Sequence, residues 1–536
     1  MRLWVKMEVD TLILGGRIID GTGNPWYKAD VAIKNGKIVK IGKLRNIDAE
    51  RILTVEGLIV SPGFIDIHSH SDYTLIVDPK AESKIRQGIT TEVIGNCGNS
   101  AAPLLGELKD RRSQIEQRYG IRVDWTYMSE YIERLRRGGI SVNVAPLIGF
   151  ANIRIAVLGY ENREPTEREM EEMKKILERA MEDGAVGLSA GLRYDPQSYA
   201  KTEEVIELAK VVSKYGGFYA THIRDEGDRG RLLEAVREAI KIGREAKIPV
   251  EISHLKILAK PLWDKCEEML NIIEEARRRG IDVTADQYPY RASGTGLLAW
   301  IPKWAYAGGR EKFIQRLKDE ETRKKIKEEL YRTMELRGGA ENALISRFEA
   351  EPEFEGLTVK QVAEKWGIPE DEAAMKLVEM AAKKGTSIGI INFNQKEENV
   401  IKIMKKPWVM VGTDGYAISP KGILGRGVPH PRSYGTYPRI LGRYVRERKI
   451  LTLEDAIRKM TSLPANKVGL KDRGLIKPGF WADITIFNPD TIIDKATYLN
   501  PKQFPEGIEY VLVNGEVVIE NGEHTGKTPG KVVKNH

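Results

Sequence analysis

The chain has 536 residues and a mass of 60.4 kDa, more than one ordinary domain and ample to bury a core. Its 41% hydrophobic and 30% charged content excludes a disordered chain. The net charge of +8 would suit a nucleic-acid binder, but Lys and Glu interleave in segments such as EREMEEMKKILERAMEDG (167–184). That is a solvated helix face with i,i+4 pairs, and no basic stripe carries aromatics, so no nucleic-acid partner is expected. No signal-like start and no apolar run of about 18 residues appear, so no membrane partner is expected either. With only Cys97 and Cys266, a disulfide framework is excluded and a reducing cytoplasm is the expected compartment.

Taken in chain order, residues 8–60 alternate apolar and polar positions between glycine turns (DTLILGGRIIDGTG, DVAIKNGKIVKIGK), which predicts short antiparallel strands. The C-terminal stretch returns to this texture in GFWADITIFNP and IEYVLVNGEVVIENG, so the two ends can pair into one small β-domain. Between them, short apolar runs alternate with amphipathic helices, the pattern of βα units with parallel strands. Strands are predicted near 64–70, 90–97, 142–150, 185–192, 217–223, 249–256, 281–288 and 408–414. Eight is the strand count of a TIM barrel, whose functional groups come from the C-terminal strand ends. About 120 residues separate the last two runs, too many for a loop. Segment 300–395 within that gap reads as a small helical insertion, a candidate lid.

Four of the seven histidines fall at these strand ends. His68 and His70 are two apart on a predicted strand, so both side chains share a face and can meet one metal; alternatively they form the polar face of a half-buried strand. Cys97, within GNCGNS, is either a small buried hydrophobe or a thiolate ligand; the surrounding glycines and asparagines make a turn and favour ligation. His222 and His254 each end a run that follows a helix, and together the set is the nitrogen and sulfur donor group typical of zinc. Asp414 in GTDG suits a turn or helix cap, and equally a general base beside a metal-bound water. Arg432, soon after His430, is the natural partner of a substrate carboxylate. Tyr194, after the fourth run, is a further candidate substrate contact. Cys266 reads as packing, and His524 and His536 as uninvolved.

In this order, PGFIDIHSHSD, GNCG, THIRDEG, SHLK, DQYPYRASGTG, GTDG and HPRSYGTYPR resemble the amidohydrolase superfamily, and more narrowly its D-aminoacylase (N-acyl-D-amino-acid deacylase) family. The resemblance implies an α/β fold: a distorted TIM (β/α)8 barrel with a small β-sandwich formed by both termini and an insertion after the seventh strand. The domains expected are 1–60 plus 466–536 for the sandwich and 61–465 for the barrel. It implies zinc, tightly held by Cys97, His222 and His254, with His68 and His70 as a second, weaker position. It also implies Asp414 as catalytic acid/base, and Lys256, Tyr288 and Arg432 around the substrate. The expected reaction is hydrolysis of N-acyl-D-amino acids to a carboxylate and a free D-amino acid. Cyclic-amide hydrolysis or deamination on the same barrel, and a non-catalytic scaffold, are the alternatives. The fourth run, AVGLSAGL, lacks the bridging lysine of many relatives, so the cysteine would take its place. Two positions depart from the family pattern: Gly294 stands where a serine is usual, and Phe150 where histidine is common.

Overall fold

The computed structural model describes residues 8–44 and 46–534. All eight predicted central runs are strands: Phe64–Asp66, Ile89–Ile94, Asn143–Pro146 (resuming at Ile148–Gly149), Gly187–Gly191, Phe218–His222, Val250–Ile252, Val283–Gln287 and Val409–Val411. Every pairing among them is parallel. Such strands carry near-continuous apolar sequence because helices cover their outer face. Phe218–His222 and Val283–Gln287 are buried throughout, and Leu232–Ala246 turns Leu232, Val236, Ala239 and Ile242 inward at helical spacing.

The first two runs and Asn143–Pro146 form one sheet, and Ile148–Gly149 joins the sheet of the remaining runs, so the third run belongs to both. Contacts at the first and third runs link the two. Leu147 N donates to Ile94 O (2.9 Å) across the third run, and Asp414 N donates to His68 O (2.8 Å) between last and first. The third run is shared with the chain terminus: Val144 N donates to Lys531 O and Val533 N to Val144 O. Residues 530–533 therefore leave the terminal sheet and pack against the central unit.

Strands from both ends of the chain share one nine-stranded sheet. Ile484–Phe487 pairs with Ile59–Pro62, which ties the C-terminal strands to the N-terminal ones. The expectation of purely antiparallel strands in 8–60 is corrected: Asp48–Thr54 and Ile59–Pro62 both run parallel to Glu8–Ile18. Alternation of apolar residues reveals a strand but carries no direction.

The insertion is also corrected. Besides helices such as Glu320–Leu336 and Glu370–Lys384, it contains Ala343–Phe348 and Ile388–Asn392, which pair antiparallel with each other. Ile388–Asn392 pairs in turn with Ser293–Gly296. These short strands sit between long charged helices whose periodicity dominates the sequence. The insertion has its own core, including Trp300, Phe313, Leu330, Phe348 and Leu377.

Candidate metal centre

The predicted site residues gather at the C-terminal ends of the parallel strands. His222 closes its strand, whereas Cys97, His254 and Asp414 lie just beyond theirs with positive φ of 53°, 37° and 48°. That conformation costs a residue with a β-carbon roughly 1–2 kcal/mol, so surrounding contacts must hold it. Leu255 N donates to Asp286 O, and Asp414 N to His68 O. At Gly98 a β-carbon would stand 1.8 Å from Gln197 Oε1, and φ is +77°, so only glycine lets the turn after Cys97 approach that side chain.

The placement of His68 and His70 differs from expectation. Their strand ends at Asp66, and both sit in the bend that follows. They still converge, with ring centroids 5.3 Å apart, because the bend is tied to the last run rather than by strand periodicity. Beneath it, fully buried Lys84 donates to Asp66 Oδ2 (2.6 Å) and Thr413 Oγ1 (2.7 Å), while Thr413 N donates to Asp66 Oδ1 (2.9 Å).

Cys97 Sγ stands at the centre: 3.5 Å from His68 Nε2, 3.6 Å from His254 Nε2 and 3.9 Å from His222 Nδ1. Three groups each bring their donor atoms within 4.8 Å of one another: His68, His70 and Cys97; Cys97, His222 and His254; His68, His254 and Asp414. The imidazole nitrogens facing away from Cys97 meet acids. His68 Nδ1 lies 3.0 Å from Asp286 Oδ2, His222 Nε2 3.3 Å from Glu226 Oε2, and His254 Nδ1 3.2 Å from Glu226 Oε1. A proton on His68 Nδ1, shared with Asp286, leaves the inward Nε2 as a lone pair, the arrangement that orients metal-binding histidines.

Electrostatics reinforce the donor set. Burial opposes ionisation of the Cys97 thiol, but His68 and His254 beside it hold its pKa well below the ordinary value. Burial likewise opposes the Glu226 carboxylate, yet His222, Lys256 and His254 keep it well below the usual range. Asp414 follows the same logic: desolvation is outweighed by Arg432, His254 and His70, so it stays ionised. Its Oδ1 is 3.0 Å from His70 Nε2 and its Oδ2 2.8 Å from Arg432 Nη1. Burial disfavours a charged His70, but its hydrogen bonds with Asp414 and Cys97 raise its pKa to about 9.

The expected substrate contacts border this centre. The Arg432 guanidinium lies over the Tyr288 ring at 4.7 Å, and Lys256 Nζ is 2.8 Å from His254 Nδ1 and ion-paired with Glu226. The Tyr194 ring meets that of His222 edge-on at 4.9 Å. Gly294 faces Arg432 directly, since a β-carbon there would be 3.2 Å from Nη2. Phe150 is buried at the start of Phe150–Leu158, next to the turn after Cys97, where Ala151 N donates to Gly98 O. His430 anchors Arg432: its Nδ1 accepts from Arg432 N (3.1 Å), and its Nε2 is 3.0 Å from Ala292 O. Cys266 is buried packing, its pKa pushed up by burial to about 11. His524 lies 3.0 Å from Ser141 Oγ and belongs to none of the donor groups, and His536 lies outside the described residues.

Sequence reasoning missed Glu226, Asp286 and Lys84. Glu226 is four residues after His222, and Asp286 shares strand parity with Tyr288, so both carried a faint signal. Lys84 carried none.

A model of the amidohydrolase family matches residues 54–519. N-acyl-D-glutamate deacylase of Alcaligenes xylosoxydans xylosoxydans is 35% identical over 99% of this chain and 97% of its own length. D-aminoacylase of the same organism is 34% identical over 98% and 97%. The crystal structure of N-acyl-D-glutamate deacylase from Bordetella bronchiseptica, complexed with zinc and a phosphonate mimic of the tetrahedral intermediate, aligns with a TM-score of 0.83. Its identity is 34%, over 98% of this chain and 100% of that one. Among the described residues, no helix is long and apolar enough to cross a membrane. With the mixed α/β fold matched end to end and the family model spanning most of its length, the chain belongs to the amidohydrolase family, on its D-aminoacylase branch.

Proposed function

We propose that this protein hydrolyses the amide bond of N-acyl-D-amino acids, releasing a carboxylate and a free D-amino acid. The observation that carries the reading is the convergence of Cys97, His222 and His254 on one point, with Asp414 and Arg432 paired beside it. The D-amino-acid substrate rests on the two deacylase relatives.

The donor chemistry fits a zinc ion: one thiolate and several imidazoles, each imidazole backed by a carboxylate. Cys97, His222 and His254 would hold it tightly, and His68 with His70 would offer a second, weaker position. Bound there, the metal supplies Lewis-acid polarisation of the scissile carbonyl and acidifies water.

The protein's own groups do the rest. The substrate carboxylate binds Arg432, Lys256 and Tyr288, which fixes the scissile carbonyl over the centre; such orientation can contribute several kcal/mol. Arg432 is paired with Asp414 in this structure, so a substrate carboxylate draws the guanidinium towards itself and frees Asp414. Asp414 takes a proton from the attacking water and passes it to the amine nitrogen as the C–N bond breaks. Tyr194 closes the side next to His222.

In this reading the eight parallel runs form a distorted TIM barrel within 61–465, and the strands of 1–60 and 466–536 a β-sandwich. A cytoplasmic location is supported by two unpaired cysteines. Against cyclic-amide hydrolysis stands the fourth strand, Gly187–Gly191, which carries no lysine. The decisive assay is a screen of paired D- and L-N-acetyl amino acids with added zinc, beside hydantoins and cytosine-like bases. Turnover confined to the D-amides is expected; turnover confined to the ring substrates or to L-isomers would overturn the reading.

A further inference from the structure

Two residues beyond Asp414, the loop places Tyr416 beside the donor set. Its ring centroid is 5.8 Å from that of His70, and the two planes are tilted by 39°. The other tyrosine rings at the site are covered: Tyr288 is buried and Tyr194 half-buried, whereas Tyr416 is 43% exposed. Lone exposed rings are common on protein surfaces, so exposure by itself carries no meaning. This ring, however, stands on a fixed backbone next to buried donors. Tyr416 N donates to Ser433 Oγ (3.4 Å), and Ser83 Oγ donates to Tyr416 O (3.2 Å). Tyr119 and Arg118 on one side, and Asp414 and Arg432 on the other, lie within electrostatic range of its hydroxyl. Tyr119 ends the helix Arg111–Tyr119 and stacks on Tyr73 at 5.4 Å, which in turn lies 6.4 Å from buried Trp125. An aromatic row therefore runs from the interior to the edge of the metal centre, and its last member is open.

The Asp414 carboxylate indicates which part of a substrate reaches that ring. Its Oδ2 holds Arg432 (2.8 Å) and its Oδ1 holds His70 (3.0 Å), so the two partners occupy different sides of the carboxylate. In the deacylase reading, the substrate carboxylate binds Arg432 and the amide nitrogen lies at Asp414. That nitrogen divides the amino-acid half from the acyl half. With the amino-acid half on the Oδ2 side, the acyl half falls on the Oδ1 side, where His70 and Tyr416 stand. A flat apolar group there covers the open ring, gaining buried area and ring-to-ring contact.

We propose that Tyr416, backed by Tyr119, walls a subsite for the acyl group and selects flat apolar acyl groups, such as phenylacetyl, over acetyl. This rests on the deacylase reading above.

The test compares kcat/KM within two matched pairs, with zinc added. N-phenylacetyl-D-methionine against N-acetyl-D-methionine places the ring on the acyl half; N-acetyl-D-phenylalanine against N-acetyl-D-alanine places it on the amino-acid half. In the first pair the wild-type enzyme should favour phenylacetyl by about tenfold. Tyr416→Ala should remove that preference, chiefly through KM, and Tyr416→Phe should keep it. Neither variant should move the ratio of the second pair. Tyr416 lies outside the main hydrophobic cluster, so its truncation leaves the core intact. A first ratio unchanged in Tyr416→Ala, or a loss confined to the second pair, would overturn the proposal. If N-acetyl-D-methionine is hydrolysed but phenylacetyl is not favoured, only this subsite falls; if no N-acyl-D-amino acid is hydrolysed, the deacylase reading falls with it.

Discussion

The residues around Cys97 and those around Arg432 meet at Asp414, yet they are supported in different ways. On the Cys97 side, each side chain sits at the end of a short parallel strand in the main hydrophobic cluster, braced by buried charges. On the other side, Gly294, Gln395 and Lys303 lie where the chain enters or leaves the insertion, which has a separate core. Tyr288 feels both: it lies under Arg432 and accepts from Gln395 Nε2 (3.3 Å). A frame that holds the donors can therefore stay constant while the insertion alters what is recognised.

Predictions that break this contrast can be ranked by size. Cys97→Ala should lose the tightly bound metal together with nearly all turnover; elemental analysis finding metal at wild-type stoichiometry would contradict the donor assignment. Asp414→Asn should keep its metal and lose roughly 10²–10⁴ in kcat. If its turnover stays near that of the wild type, another group moves the proton. Arg432→Ala should act on recognition instead, raising KM by about 10–100-fold, the worth of a charged hydrogen bond. An unchanged KM would place the carboxylate elsewhere.

A smaller effect sharpens the contrast. Glu226→Gln touches no donor of the Cys97 group except through the imidazoles, and should weaken metal affinity by roughly 10–100-fold. Competition with a chelator measures it, and wild-type affinity would remove Glu226 from its supporting role.

The smallest effect belongs to Asp228. Burial opposes its charge, but Arg337 and Arg193 lower its pKa from 3.8 to about 2. A depressed carboxyl stabilises the fold above its unfolded value and ceases to do so as pH falls through the folded one. The contribution, roughly 2 kcal/mol, should therefore be complete above about pH 4 and vanish towards pH 2. Asp228→Asn should flatten the acid limb of an unfolding-versus-pH curve, and an unaltered slope would contradict the ion-pair assignment.

Much of this was legible in the chain itself. The eight central strands stand out because parallel strands buried on both faces read as short apolar runs between amphipathic helices. The donor set stands out because histidine is scarce and falls at the ends of those runs. The strands of the insertion were hidden, since ALISRF and IGIIN are brief and lie between charged helices. Strand direction in the terminal sheet was hidden as well, because pairing between Glu8–Ile18 and Asp48–Thr54 depends on how the hairpin Tyr27–Lys34 and Lys37–Gly42 between them packs. Nothing in the sequence set Lys84 apart, and only its neighbours Asp66, Glu92 and Thr413 distinguish it.

Local patterning thus determined which residues become strands, helices and candidate donors, because burial periodicity and residue chemistry are written along the chain. Tertiary structure alone decided which nitrogen of each histidine faces inward and which acid stands behind it. Those outcomes depend on residues tens to hundreds of positions apart being brought within hydrogen-bonding distance, and no local pattern encodes that proximity.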